Sequence, residues 1–295
     1  MEQILVTGSE GQVGVELKRL AEQRGINSIY ANKEELDITQ LARLERVVEE
    51  KQPSIIINAA AYTAVDKAEG EVDTAISVNK EGSANLAKVC KSANIPLLHI
   101  STDYVYDGKK DSPYFESDRP NPESIYGKSK WEGEEAIQKE LQEHIILRTS
   151  WVFNSSGQSF PKTMLQLANE RDTLNIVDDQ FGSPTWAGDI AGVLLDIAIR
   201  HIQKQDINWG LYHYTGAPVT TWFGFAKTII EQASQQGILK QMPTLNAISS
   251  NDYPTAAKRP KNSVLNCQKI SRELGVMQTD WHVGLEKILT EWKLQ

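Results

Sequence analysis

A tyrosine and a lysine stand four residues apart in the segment Tyr126-Gly127-Lys128-Ser129-Lys130. On a helix, Tyr126 and Lys130 share one face, whereas Lys128 lies on another. An ammonium group beside a phenol stabilises the phenolate and lowers the pKa of the tyrosine from about 10 towards neutrality. We therefore predict that Tyr126 donates a proton to an oxygen that develops negative charge. Taken alone, the same spacing is also typical of an ordinary surface helix.

Hydroxyl side chains stand at the end of a predicted strand, in the segment Ser101-Thr102-Asp103. Open α/β sheets bind their ligands at the carboxyl ends of the strands. A hydroxyl at this position can hydrogen-bond the oxygen that the tyrosine protonates. Serine and threonine at strand ends are also common turn formers, so this prediction depends on the neighbouring motifs.

Glycines recur at three-residue intervals between the first apolar run, residues 4–7, and the first amphipathic segment. Such glycines allow the backbone to approach a pyrophosphate closely, and the helix that follows turns its N-terminus towards the anion. The alternative is a tight turn without a ligand. We predict a nicotinamide dinucleotide site at this turn, formed by Gly8, Gly11, Gln12, Val13 and Gly14.

The end of the second predicted strand bears on the choice of cofactor. NAD-selective sites place an acidic residue about 20 residues after the glycine turn, where it binds the ribose hydroxyls. Here the strand ends in Asn32 and Lys33, and a neutral residue beside a lysine tolerates a 2′-phosphate. We therefore expect NADPH to be preferred, with use of NADH left open. Asp37, followed by Ile38, is expected to meet the adenine.

The elements that must position these residues alternate between short β-rich runs and amphipathic helices. Strands are predicted at 4–7, 28–31, 55–58, 97–100 and 145–148, and helices at 13–24, 40–51, 74–94 and 125–141. Such alternation is typical of βαβ units and a parallel sheet. The predicted fold class is α/β, a Rossmann-type doubly wound parallel sheet with a smaller, mostly C-terminal α/β substrate-binding domain.

A length of 295 residues corresponds to about two domains of roughly 150 residues each. After residue 151 the pattern is less regular, with helices predicted at 160–170, 187–201, 221–236 and 281–292 and a loop-rich stretch at 249–262. We expect residues 1–150 plus about 179–215 to form the NAD(P)-binding domain. Residues of about 151–178 plus 216–295 are expected to form the substrate domain.

The composition argues against several partners. With 31 basic and 39 acidic residues the formal net charge is −8, which disfavours a nucleic-acid partner because binding to phosphates needs a basic surface. The sequence contains neither an apolar run of about 18 residues nor a basic leader, so we expect no membrane partner. Two cysteines, Cys90 and Cys267, make no disulfide framework. These features favour a cytoplasmic protein, and the five scattered histidines indicate no zinc site.

Together these motifs resemble the extended short-chain dehydrogenase/reductase family over nearly the whole chain. The most specific segments are Asn-Ala-Ala-Ala-Tyr-Thr-Ala-Val-Asp-Lys-Ala-Glu at 58–69 and Asp-Gln-Phe-Gly-Ser-Pro-Thr at 179–185; further matching segments lie at 11–14, 101–105, 148–152 and 259–263. The branch that the chain resembles uses NAD(P)H to reduce the 4-keto group of dTDP-4-dehydro-L-rhamnose to dTDP-L-rhamnose. The resemblance therefore implies this reaction and a dTDP-sugar substrate.

The resemblance also implies a role for each matching residue. Tyr126 would protonate the C4 oxygen of the sugar, Lys130 would bind the nicotinamide ribose and tune Tyr126, and Thr102 would hydrogen-bond the reacting oxygen. Residues implied to lie along the cofactor are Ala60, Ala61 and Tyr62, and residues implied to face the sugar are Val65, Asp103 and Trp151.

A basic, proline-containing loop in the second half is expected to meet the diphosphate. It carries Lys258, Arg259 and Lys261, and a fork-shaped guanidinium is suited to gripping phosphate. Charged loops are also commonly just solvated. The match to the family at 259–263 favours Arg259 as a substrate contact.

Some relatives within this family dimerise through carboxylates that bridge magnesium. Glu16 and Glu291 match two of those ligands, but Gly188 stands where a third would be, with Asp189 one position away. We therefore expect no magnesium-linked dimer and assign no metal ligand. A monomer or a homodimer remains open.

Two other functions stay open at this point. One is a nucleotide-sugar epimerase or dehydratase of the same fold, which is disfavoured because Asp103 is followed by Tyr104 and not by the glutamate that dehydratases use. The other is a non-catalytic NADP-binding regulatory subunit. The presence of Thr102, Tyr126 and Lys130 argues against that reading.

Overall fold

The computed structural model describes residues 2–239 and 241–294. The strands are β1 (Ile4–Thr7), β2 (Ser28–Ala31), β3 (Ile55–Asn58), β4 (Leu97–Thr102), β5 (His144–Thr149), β6 (Val152–Phe153), β7 (Thr173–Val177), β8 (Phe181–Gly182), β9 (Thr185–Trp186), β10 (Gly210–His213), β11 (Thr220–Thr221) and β12 (Thr244–Ile248). Six of them form one parallel sheet in the order β10-β5-β4-β3-β1-β2. The strand order reverses between β1 and β3, which is where such sheets bind ligands.

Helices cover both faces of this sheet. They are α1 (Gln12–Gln23), α2 (Leu41–Lys51), α3 (Val65–Ala68), α4 (Val72–Ile76), α5 (Gly82–Ala93), α6 (Ile125–Glu140), α7 (Phe160–Glu170), α8 (Ala187–Ile202), α9 (Trp222–Gln235), α10 (Gln268–Leu274) and α11 (Trp281–Lys293). Alternate residues of β1 point to opposite faces: Ile4 and Val6 pack with Leu17 of α1, and Leu5 packs with Leu44 of α2. Burial on both faces explains the uninterrupted apolar strands. The predicted Rossmann-type α/β fold is confirmed.

The prediction of a single continuous helix at 74–94 is wrong, because the helix is interrupted. A π-helical turn, Ser77–Glu81, separates α4 from α5. The wider turn brings the side chain of Asn79 onto the main chain of Tyr62, whose N–H it accepts at 2.9 Å, and onto the Ser129 hydroxyl at 3.0 Å. A uniform apolar periodicity does not reveal such an insertion. Here it ties the loop after β3 to α6.

A second apolar core lies outside the sheet. It is formed by α7, α9 and α11 with β6, β7 and β9, and includes Phe153, Phe225, Trp281 and Leu285. By contrast, α8 packs in the same core as β1, and β10 extends the main sheet beside β5. The chain therefore returns to the sheet after β9. The exact division into two domains stays a prediction.

Several short elements escape prediction from sequence, among them α3, α10 and the pair β7/β12. None of the helices within the described ranges is long and apolar enough to cross a membrane. Cys90 and Cys267 are buried free thiols.

Candidate active site

Helix α6 begins directly against the turn that follows β4. Ser124 caps the helix by accepting a hydrogen bond from Gly127 N at 3.1 Å, and Thr102 caps the 3₁₀ turn 103–105 by accepting one from Tyr104 N at 3.2 Å. A Cβ atom at Gly127 would lie 2.1 Å from the carbonyl oxygen of Tyr104, so only glycine permits this approach. As a result, the ring of Tyr126 lies edge-on to that of Tyr104, with centroids 5.5 Å apart.

Tyr126 is buried close to Thr102 and Asp103 at the carboxyl end of β4. Burial raises the pKa of Tyr126 to about 12; the nearby Thr102 hydroxyl opposes this rise, and the Asp103 carboxylate adds to it. The sequence-based expectation of a lowered tyrosine pKa is therefore wrong for the protein without ligands. The physical reason is the burial of the phenol, while Lys130 turns its amine to Ile100 and His99.

Lys130 is buried one helical turn after Tyr126, but its amine lies elsewhere. Nζ donates to the carbonyl oxygen of Ile100 at 2.7 Å and lies 3.3 Å from Nε2 of His99. Burial lowers the pKa of Lys130 to about 8, against the opposing effect of Glu134. Lys128, by contrast, is exposed and lies 4.0 Å from Glu132.

Asp103 is buried beside Thr102 with half of its carboxylate unsatisfied. Oδ1 accepts from the Thr102 hydroxyl at 3.0 Å, whereas Oδ2 is buried without a hydrogen-bond partner among the described residues. Burial raises the pKa of Asp103 to about 7, although the bond from Thr102 opposes the rise. The group therefore changes protonation near neutrality and leaves an acceptor position open to a hydroxyl donor.

The glycine turn lies two strands away, at the end of β1. Gly8 has φ +70°, and a Cβ there would lie 2.5 Å from Ala60 N in the loop after β3. Packing therefore requires glycine at position 8. At Gly11 a Cβ would meet only the Gly8 carbonyl oxygen, at 3.4 Å, so internal packing gives little reason for its glycine. Gly11 is the N-cap of α1 and makes no side-chain cap, while Oε1 of Gln12 is buried without a partner in the described chain. These features fit an anion at the N-terminus of α1.

Val13 and Gly14, the other two residues predicted at this turn, are buried in the first turn of α1. A Cβ at Gly14 would lie 2.2 Å from the carbonyl oxygen of Gly8. These two residues therefore hold the helix against the turn.

The end of β2 differs from the sequence-based prediction. Asn32 donates to the carboxylate of Glu10 at 2.8 Å, and its Oδ1 caps the backbone of Glu35 at 2.9 Å. Two carboxylates thus stand at the strand end: that of Glu10, because the glycine turn folds over it, and that of Glu35, which accepts from Asn32 N at 3.0 Å. Lys33 is exposed, and Asp37 accepts from both the backbone and the hydroxyl of Thr39.

Ile38 is a core residue that lies 3% exposed. Its side chain occupies the space where a Cβ of Gly82 would be, 2.6 Å from Cγ1. The side chain of Ile38 therefore serves packing, and its carbonyl oxygen accepts from Nδ2 of Asn85 at 3.1 Å.

The loop after β3 carries Ala60, Ala61 and Tyr62 along the same edge of the sheet. Ala60 N donates to Oδ1 of Asn58 at 3.1 Å, and the Tyr62 hydroxyl donates to Glu71 at 2.8 Å. All three side chains are half-buried. Val65 follows on α3 and packs against the apolar cluster that contains Tyr126.

Arg259 lies in the loop-rich stretch 249–262 that follows β12, and its side chain reaches this edge of the sheet. Its Nη2 lies 2.8 Å from Oδ2 of Asp66 on α3, and Ala257 N donates to Oδ1 of the same carboxylate at 3.1 Å. Lys258 is instead paired with Glu123 at 2.6 Å. Asp66 therefore holds the 257–259 loop across the cleft beside Val65.

A cavity of about 920 Å³ opens beside this loop. Its lining combines aromatic and basic side chains, which include Tyr104, Phe160, Trp222, Tyr253, Arg171, Lys258, Arg259 and Lys261. Aromatic faces stack on bases and guanidinium groups bind phosphates, so the cavity suits a nucleoside diphosphate.

Trp151 stands between β5 and β6 in a strained conformation. Its φ is +49°, which is rare for a bulky residue, and its ring stacks on Trp222 with centroids 3.6 Å apart. A Cβ at Gly182 would lie 2.4 Å from this indole. Backbone strain of this kind is most often found at functional sites.

Two of the carboxylates compared with the relatives' magnesium ligands have other partners. Glu16 is buried against Arg19 at 2.6 Å, and Asp189 accepts from Thr279 at 2.5 Å. A Cβ at Gly188 would lie 2.4 Å from the ring of Trp186, so packing leaves no room for a side chain there. The absence of a magnesium-linked dimer stays a prediction.

Sequence reasoning missed several residues around the site. The family segment 58–69 was a usable signal for two of them, because it contains Asn58 and Asp66. Asn79 lies ten residues after that segment. His99, Arg171 and Trp222 carry no local signal, because only the fold brings them to the cleft.

Comparison with known proteins gives one consistent result. Residues 1–294 match the family described as the RmlD substrate binding domain. A dTDP-4-dehydrorhamnose reductase of Aggregatibacter actinomycetemcomitans is 45% identical over 289 residues, which are 98% of each chain. The structure of a dTDP-4-dehydrorhamnose reductase from Clostridium acetobutylicum has a TM-score of 0.91 and 34% identity and covers 99% of both chains. One from Bacillus anthracis, in complex with NADP, has a TM-score of 0.89 and 34% identity over 98% of this chain and 99% of that chain. The chain therefore belongs to the RmlD family of dTDP-4-dehydrorhamnose reductases.

Proposed function

We propose that this protein uses NADPH to reduce the 4-keto group of dTDP-4-dehydro-L-rhamnose, giving dTDP-L-rhamnose. The observation that carries the proposal is that Tyr126 is buried beside Thr102 at the carboxyl end of β4, on the same sheet edge as the glycine turn. Family membership and the NADP bound by the B. anthracis relative support the same reaction.

The residues present fit a dinucleotide. Gly11 leaves space at the uncapped N-terminus of α1 for the pyrophosphate, and Gln12 offers an unpartnered buried oxygen. Asn32, Lys33 and Asp37 would lie towards the adenosine end, and Ala60 to Tyr62 along the middle. When bound, the reduced nicotinamide supplies the hydride that C4 of the sugar accepts.

Tyr126 supplies the proton. As negative charge develops on the C4 oxygen, the phenol donates to it and Thr102 keeps the oxygen in reach. With a pKa of about 12 the phenol is still a stronger acid than the sugar alcohol that forms, and the ammonium group of Lys130 would make it a better acid if it came near the phenol in the working complex. The resulting phenolate then takes a proton from solvent.

The sugar nucleotide would extend from Tyr126 into the 920 Å³ cavity. The open Oδ2 of Asp103 can accept from a sugar hydroxyl, and Val65 and Trp151 offer apolar surface to its C–H groups. Arg259 would bind the diphosphate, held in place by Asp66.

The remaining assignments belong to the same proposal. The NAD(P)-binding domain would comprise 1–150 plus about 179–215, and the substrate domain about 151–178 plus 216–295. A biosynthetic enzyme with two buried free thiols fits the cytoplasm, where thiols stay reduced.

The test is consumption of NADPH by the purified protein in the presence of dTDP-4-dehydro-L-rhamnose, followed by nicotinamide absorbance. We expect one NADPH consumed per sugar. Unchanged absorbance, with the substrate shown to be active towards a known reductase, would refute the proposal. It would favour an epimerase or a regulatory subunit.

A further inference from the structure

His99 is a buried histidine to which the proposed chemistry gives no role. It lies on β4, three residues before Thr102, and is 1% exposed. Its Nδ1 is 2.9 Å from Nδ2 of Asn58 on β3, and its Nε2 is 3.3 Å from Nζ of Lys130 on α6. The ring therefore connects the end of β3 to the lysine of the candidate active site.

The hydrogen bonds of Asn58 determine the tautomer of this ring. Oδ1 of Asn58 accepts from the Thr7 hydroxyl at 2.7 Å and from Ala60 N at 3.1 Å, so the oxygen and nitrogen of the amide cannot be exchanged. The amide nitrogen only donates, and Nδ1 of His99 must accept from it. A neutral imidazole that accepts at Nδ1 carries its hydrogen on Nε2. His99 thus presents an N–H to Lys130.

This tautomer has a consequence for the lysine. Nζ of Lys130 donates to the carbonyl oxygen of Ile100 at 2.7 Å. A neutral amine satisfies both contacts, because its lone pair accepts the N–H of His99. An ammonium group has no lone pair, so it cannot accept from His99, and two donors would then face each other.

Burial favours the neutral amine, which predominates above about pH 8. Burial lowers the pKa of Lys130 to about 8, and Glu134, one turn further along α6, partly opposes this. Burial also lowers the pKa of His99 well below its ordinary value, with further effects from Lys130 and from His144 on β5. Glu134 is itself paired with the guanidinium group of Arg148, which offsets much of its negative charge.

We infer that His99 is a positioning residue that stabilises the neutral amine of Lys130 in the free protein, and that NADPH binding draws Lys130 off His99 and favours its charged form. The inference rests on the proposed function in one respect, that Lys130 binds the nicotinamide ribose. Ribose hydroxyl oxygens accept from an ammonium group, and the charged lysine is the form that makes Tyr126 a better acid. The added proton comes from solvent.

Binding of NADPH without any sugar tests this inference. The dissociation constant is measured by NADPH fluorescence from about pH 6 to about pH 10, a range that brackets ordinary histidine and lysine pKa values. Because free protein with a neutral Lys130 must gain a proton on binding, the dissociation constant of the wild type should be constant below about pH 8 and rise about tenfold per pH unit above that break.

His99→Asn is the informative variant. The amide oxygen of the new asparagine takes the place of Nδ1 and keeps the hydrogen bond from Asn58. The variant then lacks the N–H that donates to Nζ of Lys130. The break should move up by about one pH unit, the effect of one ordinary hydrogen bond. Lys130→Met should have no such break. His144→Asn is the matched control, since it removes a buried imidazole of the neighbouring strand that bonds to Leu141 instead, and its break should stay at the wild-type pH.

Three results would overturn the inference: an unmoved break in His99→Asn, a break that persists in Lys130→Met, or no uptake of a proton by the wild type. The last is measured by calorimetry at about pH 9 in two buffers of different ionisation enthalpy, and needs no variant. Asp103 has a lower pKa than Lys130, at about 7, and it is present in the wild type and in every variant. If NADPH binding shows the break but no sugar is reduced, the proposed function fails and the inference about Lys130 stands.

Discussion

Replacing Glu134 by glutamine should destabilise the protein by about 3–5 kcal/mol, the usual cost of breaking a buried ion pair. Oε2 of Glu134 lies 2.5 Å from Nη2 of Arg148, and the two side chains are 1% and 3% exposed. Oε1 accepts from Arg148 Nε at 2.9 Å and from the Ser101 hydroxyl at 2.5 Å. The amide would leave a buried guanidinium without its counter-charge. Tyr106, which bonds to Nη1 at 2.6 Å, cannot replace a carboxylate.

An exposed pair of similar length provides the control. Nη1 of Arg24 lies 2.6 Å from Oδ1 of Asp196, but the side chains are 39% and 54% exposed. Asp196→Asn should therefore cost about 0–1 kcal/mol. Urea denaturation of both variants, with the slope unchanged, measures the two free energies of unfolding. A Glu134→Gln variant within about 1 kcal/mol of the wild type would refute the argument from burial.

Three further substitutions test the site. Tyr126→Phe should bind NADPH like the wild type but lose about 10²–10⁴-fold in kcat, the usual contribution of a general acid, as measured by binding fluorescence and steady-state rates. Glu10→Gln should raise the preference for NADPH over NADH, given by the ratio of kcat/KM values, because it removes a negative charge beside Asn32 where a 2′-phosphate would lie. Asp66→Asn should raise KM for the sugar nucleotide about threefold to fivefold with little change in KM for NADPH, since Arg259 loses a half-exposed partner worth about 1 kcal/mol at most.

Each of these expectations has a contrary result. Wild-type turnover by Tyr126→Phe would exclude this residue as the proton donor. An unchanged cofactor ratio in Glu10→Gln would place the 2′-phosphate away from Asn32. Equal changes in both KM values for Asp66→Asn would indicate a general structural effect and not a contact that positions Arg259.

The sheet and the position of the site followed from local patterns. The apolar runs at 4–7 and 55–58 predicted buried parallel strands, because strands covered on both faces carry no polar alternation. The glycine spacing at 8–14 and the pair Tyr126 and Lys130 depend on local geometry, and the structure places them on one edge of the sheet.

What could not be predicted depends on contacts between distant segments. The spacing of Tyr126 and Lys130 fixes a shared helix face, but the amine turns to His99 on β4, which no local pattern indicates. Likewise, Asn32 meets Glu10 only because the glycine turn folds over β2. Small elements such as α3 contain too few residues for a periodicity to be read.

The central claim is hydride transfer to the sugar, with Tyr126 giving the proton. The most direct measurement uses NADPH deuterated at C4 of the nicotinamide together with dTDP-4-dehydro-L-rhamnose, and locates the deuterium in the product by NMR. We predict deuterium at C4 of dTDP-L-rhamnose and none elsewhere in the sugar. A sugar product without deuterium at C4 would contradict the account.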